Sequence, residues 1–103
     1  MKYTYDNENL SLSVDLEEEL DVSSCKTLRI IIDGYIMRYE PKELIMDLTN
    51  VKFMDSSGIG LLIGRYNLIK LLDSKMTIIN ATKSIKRVLE LSNITKNISL
   101  RSE

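Results

Sequence analysis

The chain has 103 residues, enough for one small domain with a single hydrophobic core and too few for two. Its composition, 44% hydrophobic and 28% charged with a formal net charge of -1, is that of an ordinary globular protein and offers no general attraction to nucleic acid or to an anionic membrane. Because the chain has no histidine, it cannot build a Ser–His or Cys–His nucleophile, and the usual zinc sites lose their commonest ligand.

The first part of the chain predicts a β-hairpin followed by a helix. Tyr3 and Tyr5, and then residues 10–16, alternate with polar residues as half-buried strands do, with a turn over residues 6–9. An acidic turn over residues 17–21 precedes the helix. The helix must end before Pro41, because the residue before a proline avoids the helical conformation. Ser23 or Ser24 is expected to cap this helix, and its apolar face is expected to consist of Cys25, Leu28, Ile31 or Ile32, and Tyr35.

The middle of the chain predicts a strand, a loop and a second helix. Residues 44–46 form a short, continuous apolar run, which suits a strand buried on both faces of a parallel sheet. A polar loop follows, and the next apolar residues have helical spacing. We expect this helix to begin in the Asp-Ser-Ser-Gly segment at residues 55–58 and to end near Leu72.

The last part of the chain predicts one more strand, one more helix and a final edge strand. A turn over residues 73–75 leads to a buried strand over residues 76–79. Thr82 or Ser84 is expected to cap a short helix, and residues 98–100 predict the edge strand. The order β-β-α-β-α-β-α-β predicts an α/β fold with a mixed, mostly parallel sheet and right-handed crossovers.

The whole chain, residues 1–103, is expected to form a single domain, since it contains no repeat, low-complexity segment or linker. No apolar run approaches the roughly 18 residues that a membrane span requires, and no basic segment followed by an apolar stretch opens the chain. Cys25 is the only cysteine, so an internal disulfide is excluded, and a cytoplasmic location fits best.

The most informative segment is FMDSSGIGLLIGRY at residues 53–66. Asp55, Ser56 and Ser57 precede an apolar run with helical spacing, and Asp and Ser are preferred helix N-caps because their side-chain oxygens accept hydrogen bonds from the free N–H groups of the first turn. Since Asp55 can cap alone, two hydroxyls remain at the positive end of the helix dipole, where an anion or phosphate is stabilised. We expect one of the two serines either to take part in catalysis or to be modified there, unless both only stabilise the end of the helix.

The glycines of this segment are poor helix formers and therefore need another reason to be present. Gly58 and Gly60 suit a place where a backbone or a partner approaches closely. Gly60 and Gly64 share one face of the predicted helix, and close packing on the sheet is preferred over a partner contact. Arg65 lies on a neighbouring, less apolar face, where it is either solvated or turned toward a partner.

The acidic residues do not predict a metal site. Glu17, Glu18, Glu19 and Asp21 read as a solvated turn that is favoured by the dipole of the following helix. If this turn lies beside the Asp-Ser-Ser-Gly turn, the two form one surface at the carboxyl ends of the parallel strands, where such sheets bind ligands. The acidic residues near the segment lack the spacing of a calcium loop, so neither a metal nor another cofactor is predicted.

Three segments together resemble the STAS domain of anti-sigma factor antagonists, in particular those that act in sporulation. They are LEEELD at residues 16–21, IMDLTNVKFMDSSGIGLLIGRYNLIK at residues 45–70 and MTIINATKSIKRVLELSNI at residues 76–94. The resemblance implies a mixed sheet with packed helices, in agreement with the reading above. The sequence departs from the family at Glu18, where glycine is common in the family. It also departs at Glu103, beyond which the family commonly adds a helix. The part of the sheet that such a helix would cover is expected to be shielded otherwise or to be more exposed.

The resemblance also implies a regulatory binding protein that is not an enzyme. Its partner would be an anti-sigma factor that is also a serine kinase with bound ATP or ADP; a serine phosphatase would act in turn, and no nucleic acid or membrane would be bound directly. By position, Ser56 corresponds to the phosphoacceptor, Asp21 to an aspartate of the contact surface, and Asp55, Ser57 and Gly58 to the same patch. Arg65 corresponds to a basic residue near that patch.

Two other classes of function stay open on the sequence. One is an enzyme with a serine nucleophile, for which a Ser–Lys pair would need a desolvated lysine, whereas Lys52 and Lys70 only flank the segment. The other is a nucleotide- or anion-sensing STAS module that uses the same helix N-terminus to hold phosphate.

Overall fold

A computed structural model describes residues 1–17 and 19–102 of the chain, so that Glu18 of the acidic turn and Glu103 lie outside the described residues. The elements follow the predicted order. They are β1 (Lys2–Asp6), β2 (Ser11–Asp15), α1 (Val22–Tyr39), β3 (Glu43–Asp47), α2 (Ser56–Lys70), β4 (Lys75–Ile79), α3 (Lys83–Leu91), a short 3-10 helix (Ile94–Lys96) and β5 (Ser99–Arg101).

The strands form one five-stranded sheet in the order β1-β2-β3-β4-β5. β1 and β2 pair antiparallel as the predicted hairpin, and every later neighbour pairs parallel, so the expected mixed, mostly parallel sheet is confirmed. A parallel neighbour requires a crossover, which α1, α2 and α3 supply in turn. The carboxyl ends of β2, β3 and β4 therefore lie at one edge, where the loops into the helices begin.

The core lies between the sheet and the helices. The strand register aligns Leu12 with Leu44 and Met76, and the next inward row aligns Val14 with Met46 and Ile78. These residues belong to one buried cluster, to which α1 contributes Cys25, Leu28, Ile32 and Ile36, and α2 contributes Leu61, Leu62 and Ile69. Each such side chain contributes about 1.5–3 kcal/mol to folding when it is fully buried, so this cluster is the main source of stability.

Three local expectations differ from the structure. Leu10 is exposed and lies outside β2, because it has a left-handed backbone with φ of 54° that closes the hairpin turn. β3 alternates between buried and half-buried residues, so Ile45 is not fully buried and the strand is covered completely on one face only. Asp21, and neither Ser23 nor Ser24, caps α1, which begins at Val22.

Within residues 1–17 and 19–102, no helix is both long and apolar enough to span a membrane.

Candidate functional site

The two loops that lead into α1 and α2 are joined by backbone hydrogen bonds. The N–H of Leu20 donates to the carbonyl of Phe53 at 3.0 Å, and the N–H of Asp55 donates to the carbonyl of Leu20 at 3.2 Å. Leu20 and Met54 pair as an isolated parallel bridge, and both side chains are buried. The end of the acidic turn thus lies beside the Asp-Ser-Ser-Gly turn, which is the condition for one shared surface, and the first turns of α1 and α2 begin side by side.

Asp21 holds the first turn of α1 through a capping box. Its Oδ1 accepts a hydrogen bond from the N–H of Ser24 at 2.9 Å, while the N–H of Asp21 donates to the Ser24 hydroxyl at 3.2 Å. The Ser24 hydroxyl also donates to the carbonyl of Glu19, which fixes the end of the acidic turn. Asp21 is half-buried, so one carboxylate serves both as a helix cap and as a charge at the edge of the sheet.

Asp55 caps α2, as expected. Its Oδ1 accepts from the N–H of Ser57 at 2.7 Å, a short, charge-assisted hydrogen bond. Ser56 is the first residue of α2 and is exposed, whereas Ser57 is half-buried. In the described part of the chain, no residue forms a hydrogen bond with the hydroxyl of either serine. Asp55 therefore completes the cap, and the Ser56 hydroxyl is accessible from solvent.

Gly58 is the glycine that close packing requires. A Cβ at this position would lie 2.4 Å from Cγ of Met54 and 2.9 Å from Cβ of Leu20, so a side chain would separate the joined loops. Gly60 and Gly64 do not pack on the sheet, contrary to expectation, because a Cβ at either would meet no atom within 4 Å. They instead line an open groove between α1 and α2.

Arg65 is buried, with only 6% of its surface exposed, so a solvated position is wrong. Its Nε lies 2.6 Å from Oδ1 of Asp33 on α1, although the two are not aligned as a hydrogen bond. Burial lowers the pKa of the Arg65 guanidinium. The negative charge of Asp33 opposes this shift, and the positive charge of Arg29 adds to it. Arg65 lines the same groove as Ser57.

The two lysines that flank the segment do not form a Ser–Lys pair with these serines. Lys52 and Lys70 are both exposed, and Lys70 closes α2 at the end opposite to Ser56. Neither amine is desolvated, as a lysine that activates a serine must be. Neither flanking lysine is therefore placed to activate Ser56 or Ser57 as a nucleophile.

Sequence reasoning missed two exposed apolar residues and two cations at this edge. Val22 and Phe53 are 70% and 48% exposed and adjoin the capping residue Asp21 and the joined loops. Lys26 and Arg29 lie one and two turns into α1 and line the groove beside Ser57. The i, i+4 and i+7 spacing of Val22, Lys26 and Arg29 on one helical face was the available signal.

Comparison with known proteins agrees with this architecture. The STAS domain family matches residues 3–103 of the chain. An anti-sigma F factor antagonist of Paenibacillus polymyxa is 34% identical over 85 residues, which cover 82% of this chain and 73% of the relative.

Two solved structures have the same fold at lower identity. The anti-sigma factor antagonist SpoIIAA in its unphosphorylated form superimposes with a TM-score of 0.75 at 20% identity, over 96% of this chain and 84% of that one. The Bacillus cell fate determinant SpoIIAA in its phosphorylated form gives a TM-score of 0.71 at 21% identity, over 96% and 90%. With the match over nearly its entire length, the joined loops and the capped Asp-Ser-Ser-Gly turn, the chain belongs to the STAS domain family.

Proposed function

We propose that this protein is an anti-sigma factor antagonist that phosphorylation of Ser56 switches off. In its unphosphorylated form it binds an anti-sigma factor, which is also a serine kinase with bound ATP or ADP, and thereby releases a sigma factor. A serine phosphatase restores the active form. The relative from Paenibacillus polymyxa, an anti-sigma F factor antagonist, supports this role. The resemblance of the sequence to sporulation factors adds an association with sporulation to the proposal. The protein would act in the cytoplasm, where transcription takes place.

The observation that carries the proposal is the position of Ser56. Its hydroxyl is exposed on the first residue of α2, and the Asp55 carboxylate already satisfies the cap. A kinase can therefore reach Ser56 without unfolding the helix. The contact surface would comprise Asp21, Asp55, Ser56 and Ser57, with Gly58 keeping the two loops together and Arg65 acting from beneath the groove.

The physics of the switch would be local. A phosphate brings a charge of about -1.5 to -2 at pH 7, which the N-terminus of α2 stabilises within the free protein. In a dry interface the same phosphate must lose its hydration beside the carboxylates of Asp55 and Asp21, and like charges that are desolvated together favour dissociation. The switch would thus need no conformational change in this domain.

A second candidate is a STAS module that senses nucleotides or other anions. One observation favours it, namely the cations that line the groove beside Ser57. Isothermal titration with GTP and with ATP separates the two, since a partner switch of the proposed kind requires no nucleotide on this chain. We favour the partner switch because it also uses the exposed hydroxyl of Ser56.

The test is phosphorylation by the anti-sigma kinase encoded in the same genome. Wild-type protein, Ser56→Ala and Ser57→Ala are incubated with the kinase and ATP, and the phosphate is located by mass spectrometry. We expect one phosphate on Ser56 in the wild type and in Ser57→Ala, and none in Ser56→Ala. Full modification of Ser56→Ala would show that the assignment is wrong, and no modification of any protein would overturn the proposed function.

A further inference from the structure

The groove between α1 and α2 exists because two glycines leave its floor without side chains. It has a volume of about 480 Å³ and runs from Ser57 past Gly60 and Gly64 on α2. Outside the backbone of α2 itself, no atom of the described residues lies within 4 Å of the place where a Cβ of either glycine would be, so the space is open. Val22, the first residue of α1, lines the same end as Ser57, which makes the groove continuous with the joined loops.

The groove is lined by three cations. Lys26 and Arg29 are exposed on α1, and Arg65 lies beneath them on α2. Among the described residues that line the groove, none is acidic. Within the described residues, Asp33 is the one carboxylate that forms an ion pair with any of these three cations, so positive charge is in excess.

Arg65 has hydrogen-bonding capacity that the described part of the chain does not satisfy. Its side chain is only 8% exposed, and Asp33 lies against Nε, while Nη1 is buried and has no hydrogen-bond partner among residues 1–17 and 19–102. A buried donor of a charged group that stays unpaired is costly, and such groups normally have a partner. An anion that enters the groove would lie beside the Arg65 side chain, which lines it, and be flanked by Lys26 and Arg29.

We propose that the groove receives an aspartate or glutamate side chain of the anti-sigma factor, an inference that rests on the proposed function. The groove is open, so a free ion would stay in water, where an exposed ion pair contributes little. A docked protein covers the groove and excludes water, which strengthens the pairing of its carboxylate with the three cations. The groove would thus select a partner by charge, beside the contact at Ser56.

The first test uses a carbodiimide, which activates a carboxylate so that an amine in direct contact forms an amide and a urea leaves. In the complex with the anti-sigma factor from the same genome, Lys26 is expected to couple to an Asp or Glu of the partner, which peptide mass spectrometry identifies. Lys26→Arg keeps the charge but lacks the amine, so it should lose this product. Lys70→Arg, at the far end of α2, is the matched control and should leave the product unchanged.

The second test measures affinity by calorimetry. Arg29→Ala is expected to raise the Kd for the partner about tenfold, with a smaller effect at high salt, because a charge that is desolvated at the contact is lost. Lys70→Ala, which removes an exposed cation outside the groove, should leave the Kd unchanged. Circular dichroism of each variant checks that the fold is retained.

The outcomes separate this inference from the proposed function. If the wild type binds the partner and Arg29→Ala binds it equally well, with no cross-link from Lys26, the groove inference alone is overturned. If the wild type binds no anti-sigma factor, both are overturned. Inorganic phosphate that shifts the Nε–H resonance of Arg65 in the isolated protein, saturating below about 1 mM at constant ionic strength, would assign the groove to a free anion and overturn the inference.

Discussion

Gly58 is held against the neighbouring loop more tightly than any side chain would permit. A Cβ would lie 2.9 Å from Cβ of Leu20 and 3.2 Å from its carbonyl oxygen, and neither atom can rotate away. We therefore expect Gly58→Ala to destabilise the protein by about 1–3 kcal/mol through overpacking. Gly60→Ala, two residues on in the same helix, meets no atom within 4 Å and should stabilise by up to about 1 kcal/mol, since alanine is the better helix former.

Urea denaturation of the two variants measures this contrast directly. Equal free energies of unfolding for Gly58→Ala and the wild type would mean that the loops can separate at no cost, and the joined-loop description of the site would be wrong.

Asp21 has two roles that one substitution can separate. Asparagine keeps the oxygen that accepts from Ser24 N–H and is as good an N-cap as aspartate, but it removes the charge. We expect Asp21→Asn to unfold at nearly the wild-type temperature, to bind the anti-sigma kinase more weakly, and to slow phosphorylation of Ser56, since a basic group of the partner would lose its counter-charge at a cost of roughly 2–5 kcal/mol.

Thermal unfolding and calorimetric titration with the kinase provide the two measurements. A lowered melting temperature with unchanged affinity would return Asp21 to a purely structural role as the cap of α1. Asp21→Ala is a useful reference, because loss of the cap should cost about 1 kcal/mol of stability.

At the residue level, local pattern predicted some roles and missed others for a physical reason. Asp55 was identified as a possible cap because its bond to Ser57 is local in sequence. The burial of Arg65 could not be read from α2 alone, because it depends on Asp33, which α1 supplies from 32 positions earlier. The roles of Gly58 and Gly60 were not distinguished for the same reason, since the decisive neighbour of Gly58 is Leu20.

At the scale of elements, the sequence predicted the hairpin, the helices and their order, because periodicity and caps are local signals. Errors lay at ends. Asp21 displaced the two serines as the cap of α1 because the joined loops hold it in the extended conformation that a cap requires. Leu10 left β2 because the turn needed a residue with positive φ, although leucine does not favour it.

The hairpin turn supplies a prediction about pH. Asp6 accepts from the N–H of Asn9 at 3.2 Å, the side-chain amide of Asn9 at 2.8 Å and the N–H of Glu8 at 2.9 Å. These hydrogen bonds lower the pKa of Asp6 in the folded protein, and those from Asn9 have the largest effect. The folded state thus binds this proton less readily than the unfolded state, so the contribution is complete above the ordinary aspartate pKa of about 3.9 and is lost as the pH falls through the lower, folded value.

Asp6→Asn tests this by removing the titrating group while keeping one acceptor. The difference in free energy of unfolding between wild type and variant, measured in urea at intervals from pH 7 to pH 2.5, should shrink as the pH falls below about 4. A difference that stays constant over this range would show that the turn does not depend on the ionised carboxylate.

At the scale of the molecule, hydrogen bonds continue between the loops beyond the ends of the strands. Leu16 N–H donates to the carbonyl of Asp47 at 3.1 Å, and Leu48 N–H donates to the carbonyl of Ile79 at 3.0 Å, in addition to the bonds of Leu20. The edge that carries Ser56 is thus an extension of the sheet, in which hydrogen bonds hold the loops in place. Such an edge can present a charge to a partner without changing its own shape.

This rigidity leads to a prediction for the protein as a whole. Ser56→Asp places a carboxylate at the N-terminus of α2, where the helix dipole favours it, so circular dichroism and the melting temperature should match the wild type. Binding to the anti-sigma kinase should weaken by about tenfold or more, because the added charge must be desolvated near Asp55 and Asp21.

Ser84→Asp is the matched control, since it adds the same charge to the first turn of α3, outside the proposed contact surface, and should leave the affinity unchanged. An unfolded Ser56→Asp would attribute the switch to stability, and equal loss of affinity in both variants would attribute it to net charge; in either case repulsion at the contact would be wrong.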